Sequence, residues 1–170
     1  WVQQKPSWGN CPLISNDWYN SHSFYVSLDL DGLLHVYYHT DSCQTDDFPC
    51  GRTVAVPGDK GVWSHIAAVY NGTDRVLYVN GGVLDSFHSS GPLLSSARPL
   101  QIGSTDFGSS RCDGTDQMFG AIRLYNRSLS PSDVALLASG THVLPYTVND
   151  GLIALYDFSD PVQPGADHAA

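Results

Sequence analysis

Between Ser23 and Leu30 apolar and polar side chains alternate. Phe24, Val26, Leu28 and Leu30 fall on one side of an extended chain, and Ser23, Tyr25, Ser27 and Asp29 on the other. A period of two predicts a half-buried strand. Asp31-Gly32 follows, the preferred pair for a two-residue type I′ hairpin turn, and residues 33–39 return as its partner. Residues 52–56 read as another strand, stopped by Pro57-Gly58-Asp59. Residues 62–70, 75–79 and 83–87 form a meander turned at Asn71-Gly72 and at Asn80-Gly81-Gly82, with Val79 expected to pair with Val83. Trp63, Ile66, Ala68 and Tyr70 do not alternate cleanly, which predicts a strand covered on both faces. Further strands are expected at 100–103, 118–125 and 152–158.

One helix stands out. Ser130 fits the N-cap, Pro131 the first helical position and Asp133 the first turn, while Val134, Leu136, Leu137 and Ala138 supply an apolar face and Gly140 a stop. Phe119 and residues 122–125 are its expected seat. Short strands divided by Gly, Asn, Asp and Pro turns predict an all-β sandwich or jelly roll carrying this single helix.

The 170 residues suffice for one domain with a full core. Composition sharpens the picture: all 17 acidic residues are Asp, none is Glu, and only Lys5 and Lys60 are lysines. Glu and Lys favour helices, whereas Asp favours turns and calcium loops. A net charge of −9 argues against nucleic acid and anionic membrane surfaces as partners, since both demand a basic patch. No apolar run approaches the ~18 residues of a membrane span, and no signal peptide is expected within these residues.

The four cysteines, Cys11, Cys43, Cys50 and Cys112, contain no C-x-x-C pair, which argues against zinc and thioredoxin-like chemistry. Four cysteines permit three connectivities; the short loop between Cys43 and Cys50 favours that pairing, leaving Cys11 with Cys112. Two sequons, at Asn71 and Asn126, point with the cysteines to a secreted or cell-surface chain.

Four motifs then carry a resemblance. Trp63, His65 and Ala67 stand as W-x-H-x-A, Leu77-Tyr78-Val79-Asn80-Gly81 as a hairpin, Leu100 to Gly103 as the next strand, and Ile122 to Ser130 as I-x-L-Y-N-R-x-L-S. In this order they resemble the laminin-G-like and pentraxin-like jelly rolls, which implies a concanavalin A-like antiparallel β-sandwich. Trp1-Val2 resembles the W-V of that family's second or third strand, and residues 151–160 resemble its opening strand. The jelly-roll domain is accordingly set at residues 1–145. Residues 146–170 hold a terminal strand that completes the same sandwich or belongs to a neighbouring repeat or copy.

The resemblance implies a non-catalytic, extracellular binding or adhesion module for a glycan or an extracellular protein, supported by Ca²⁺. The alternative is a structural repeat of a filament or matrix, joined to copies of itself by terminal strand exchange. A glycosidase of this fold uses paired Glu residues, and the chain has none. Asp106, Asp113 and Asp116 fall where pentraxin-like domains hold calcium, with Asn16 and Asp17 near the other ligand-bearing loop; the acidic triplet of that family has no Glu counterpart near Ser104. Calcium takes six to eight oxygens, which Asp, Asn and carbonyls supply. Trp18 and Tyr19, beside that loop, are the expected sugar-stacking residues, ahead of Trp8, Tyr37 and Tyr38. His35, Tyr37 and His39 share a strand face, a metal-like spacing without a third ligand, and read as strand-surface residues.

Overall fold

The structure, a computed structural model, describes residues 1–3, 12–16, 24–29, 31–40, 51–57, 61–88, 90–95, 99–103, 105–107, 110–112, 117–140, 148–158 and 166–167. Its largest sheet has five antiparallel strands in the order β10 (Gln101–Ile102), β2 (Pro12–Ser15), β3 (Phe24–Leu28), β4 (Leu33–Tyr38) and β5 (Gly51–Ala55). A meander, β7 (Ile66–Tyr70), β8 (Asp74–Val79) and β9 (Gly82–His88), forms a second sheet, and β14 (Ala121–Tyr125), β15 (Leu152–Asp157) and β16 (Ala166–Asp167) a third. Between them β1 (Val2–Gln3) pairs with β6 (Trp63–Ser64) on one side and β13 (Met118–Phe119) on the other. A two-stranded ribbon, β11 (Thr105–Phe107) with β12 (Ser110–Cys112), completes the set.

The core lies between the five-stranded sheet and the strands opposite it. Leu13, Val26, Leu28, Leu34, Val36 and Tyr38 point inward from the first, and meet Val2, Leu77, Ile66, Ala68 and Phe119 from the other side. This is the β-sandwich of a concanavalin A-like jelly roll. Ala67 and Val69 turn the other way, toward Val134 of the helix α1 (Pro131–Ser139). The strand β7 is therefore covered on both faces, as its sequence predicts.

The helix opens on a capping box: the Ser130 side chain accepts from the Asp133 N–H, and the Asp133 carboxylate accepts from the Ser130 N–H. Val134 seats it on Val69 and Tyr78 rather than on Phe119, whose ring packs into the main core and 5.7 Å from that of Phe158. Gly81 allows this approach, since a Cβ there would lie 3.2 Å from Cβ of Ala138.

Three local details differ from the pattern. The run 62–70 is interrupted at His65, whose N–H and C=O are both taken by Asn80. The Asn80-Gly81 turn has positive φ at both residues and closes a two-residue loop, so Val79 faces Gly82 and Val83 faces Tyr78; a bulge then shifts the ladder by one, and Leu77 faces Asp85. At the other hairpin the closing pair is Asp29–Leu33, so three residues, not two, form the loop, with Gly32 alone of its described residues at positive φ (79°). Among the described residues no helix is long and apolar enough to cross a membrane.

Candidate functional site

The loop between β3 and β4 organises the outer face of the five-stranded sheet. Oδ1 of Asp29 accepts the N–H of Asp31 at 2.9 Å and of Leu33 at 2.8 Å, which folds the turn around the carboxylate. Its Oδ2 is left facing His35, 3.0 Å from Nε2. On the neighbouring strand Thr53 pairs with His35, and its hydroxyl lies 3.0 Å from Nδ1. A carboxylate only accepts, so the neutral ring donates from Nε2 to Asp29 and receives the Thr53 proton at Nδ1. Partial burial works against the Asp29 charge. The hydrogen bonds from His35, Leu33 and Asp31 outweigh it and hold the pKa below the ordinary carboxylate value.

Two residues on, Tyr37 lies on the same face. Its ring stacks against that of His35 with centroids 6.5 Å apart and planes at 18°, and meets that of Tyr25 at a tilt of 51° with centroids 5.5 Å apart. Opposite Tyr37 on β5 stands Gly51, which puts no side chain beside the ring. Tyr25 pairs with Ser15, whose buried hydroxyl has no hydrogen-bond partner among the described residues. The face thus combines a half-buried aromatic plate with an imidazole, a hydroxyl and a carboxylate fixed beside it. Such a set suits a ligand with an apolar face and a rim of hydroxyls. It does not suit glycoside hydrolysis, which needs two carboxylates roughly 5 to 10 Å apart, one with a raised pKa. The Asp29 carboxyl moves in the opposite sense.

The chain matches, over residues 1–135, the laminin G family model described as the concanavalin A-like lectin/glucanases superfamily. It belongs to that superfamily. A crystal structure from Bacteroides ovatus ATCC 8483, provisionally described as a carbohydrate binding protein, superposes on this laminin G-type domain with a TM-score of 0.69 at 14% identity. The match covers 98% of the domain and 47% of that chain, so the domain spans about half of it. An S-layer domain-containing protein from Clostridium thermocellum ATCC 27405 has a TM-score of 0.38 at 18% identity, over 79% of the domain and 65% of that chain. None of the curated proteins compared with the domain matches it. At 14% identity the likeness to the Bacteroides ovatus structure is one of fold.

The residues expected from sequence to form the site distribute differently. Asn16 is bound to its own hairpin, its Oδ1 accepting the Phe24 N–H at 3.2 Å. Asp106 pairs with Arg111, and Cys112 with Thr105, across β11 and β12. Asp17, Trp18, Tyr19, Asp113, Asp116, Cys11, Cys43 and Cys50 lie outside the described residues. Among the described residues no three His, Cys, Asp or Glu side chains gather as a metal site. His39 is buried beyond the end of β4, away from a role with His35. The asparagines of both sequons, Asn71 and Asn126, are exposed. Alternation along β4 already places His35 and Tyr37 together; what sequence does not reveal is Asp29 and Thr53 converging on the imidazole.

Proposed function

We propose that this laminin G-type domain is a non-catalytic glycan-binding module of the cell exterior, and that a sugar ring stacks on Tyr37. The observation that carries the reading is the Tyr37 plate beside the Asp29–His35–Thr53 relay: an aromatic face for sugar C–H groups, next to fixed donors and acceptors for hydroxyls. The carbohydrate description attached to the Bacteroides ovatus structure agrees with it. The four cysteines and two sequons support the extracellular setting and glycosylation at Asn71 and Asn126. Calcium support from the loop of Asp106, Asp113 and Asp116, with Asn16 and Asp17, belongs to the same proposal and rests on its oxygen-rich sequence.

Calorimetry against a panel of oligosaccharides, in calcium and in chelator, tests both parts. The expected result is binding that weakens at least about tenfold in Tyr37→Ala, an order set by the loss of one stacking contact. Affinity unaffected by Tyr37→Ala sinks the Tyr37 site, and equal affinity and equal melting in chelator sink the calcium part.

A further inference from the structure

Two Asn-Gly steps turn the β7–β8–β9 meander, and their surroundings differ. At the β8–β9 turn Oδ1 of Asn80 accepts the His65 N–H at 2.9 Å, from a strand on the far side of β8. The ladder closes directly on this turn, at Val79 and Gly82. Gly81 lies under the helix, where a Cβ would stand 3.2 Å from Cβ of Ala138.

The β7–β8 turn is open instead, with Asn71, Gly72 and Thr73 exposed. Oδ1 of Asn71 accepts two backbone N–H groups of its own turn, from Thr73 at 2.9 Å and from Asp74 at 2.7 Å. The Thr73 hydroxyl, 2.9 Å from this oxygen and 3.0 Å from Oδ2 of Asp74, shares its single proton between them. Donors fixed on a carbonyl oxygen draw electrons from its carbon and stabilise the negative charge that forms when a nucleophile adds there. Next to that carbon in the chain is the backbone nitrogen of Gly72. Its N–H meets no acceptor among the described residues, and a Cβ on Gly72 would find nothing within 4 Å. On the other side of the Asn71 amide, Nδ2 donates to Oδ2 of Asp74 at 3.4 Å. Hydrogen bonds from His88, Thr73 and Asn71 hold that carboxyl below its ordinary pKa, so it stays an acceptor for Nδ2.

We propose that Asn71 is a site of spontaneous covalent modification, deamidation through a five-membered succinimide, and that Asn80 is protected from it. Gly72 nitrogen gives its proton to solvent base and bonds to Cγ of Asn71. The electron pair of the carbonyl moves onto Oδ1, where the three donors meet it. It then returns as the Cγ–Nδ2 bond breaks, and Nδ2 takes a proton from water and leaves as ammonia. Water opens the ring at either carbonyl, which leaves an aspartyl or an isoaspartyl residue at position 71 and one added negative charge. The isoaspartyl form lengthens the main chain of a turn that also holds Gly91, through the Gly72 carbonyl at 3.2 Å. Glycosylation of the Asn71 sequon uses the same Nδ2, so the two modifications exclude one another.

The full chain, made without glycosylation, is aged at neutral and at mildly alkaline pH, both folded and in guanidinium. Trypsin then separates the two sites, since residues 61–75 and 76–111 each carry one asparagine. Mass spectrometry follows the exchange of ammonia for water in each peptide. The expected result in the folded chain is conversion at Asn71 at least about tenfold faster than at Asn80, a modest fraction of what oxyanion donors contribute in enclosed sites. In guanidinium the two sites should convert at similar rates, with Asn71 slower than in the folded chain. Equal conversion of the two asparagines in the folded chain overturns the proposal. So does a folded Asn71 slower than the unfolded one, which would show that the three donors immobilise the side chain instead of activating it.

Discussion

His65 shows how one buried side chain sets a pH response. Its ring packs edge-on to Trp1 at 5.4 Å, and its backbone is clamped by Asn80. Burial first, then the charges of the Trp1 ammonium and Arg123, lower its pKa to about 3 from 6.5. The unfolded chain therefore binds this proton below pH 6.5 while the folded chain stays neutral down to about 3. Stability is full above pH 6.5 and falls as pH drops through that window. Thermal melts from pH 7 to 4 should show this decline, and His65→Gln should flatten it; an unchanged slope in His65→Gln refutes the assignment. The candidate site was partly legible at this scale. A period of two shows that His35 and Tyr37 share a face, but the same period cannot say which loop carboxylate or neighbouring hydroxyl will reach the imidazole. That depends on the three-residue turn at Asp29 and on the register that brings Thr53 opposite His35.

Among the elements, α1 and the long alternating strands were readable because each carries its own local signal. Ser130, Pro131 and Asp133 announce the helix start, and the structure forms that capping box. Ser130→Ala should lower stability by about 1 kcal/mol, the usual cost of losing an N-cap acceptor. Denaturant melts of Ser130→Ala beside Ser130→Thr check this: the threonine should recover most of the loss, and equal losses would show that the cap hydroxyl is not what holds the helix end. Two-residue strands such as β1, β6, β10 and β13 have no period to read: β10 forms on the edge of the longer β2, and β1 pairs with β6 and β13 through contacts distant in sequence. The bulge after Asn80-Gly81 is likewise set by the ladder, which slips one residue between Leu77 and Tyr78. Gly81 must also lie under Ala135 and Ala138, a demand that comes from the helix and not from the hairpin.

At the scale of the molecule the question is how much the fold depends on β15. This strand pairs with β14 along residues 121–125 and with β16 on its other edge. Its side chains are not equivalent. Leu155 is 0% exposed and Ala154 is buried, while Ile153 is 54% exposed. Transfer of a leucine side chain from water contributes roughly 2 kcal/mol, and the cavity left by truncation adds to it, so Leu155→Ala should cost about 2–5 kcal/mol. Ile153→Ala, with half its surface already in water, should cost well under that, near 1 kcal/mol or less. Removing residues 152–170 takes away Leu155 and the whole ladder on β14 together. Against a typical total stability of about 5–15 kcal/mol, that loss should abolish cooperative unfolding. Urea melts of the two point variants and the shortened chain decide the matter. A Leu155→Ala midpoint no lower than that of Ile153→Ala, or a sharp transition in the shortened chain near that of the parent, would show that β15 lies against the sandwich without holding it together.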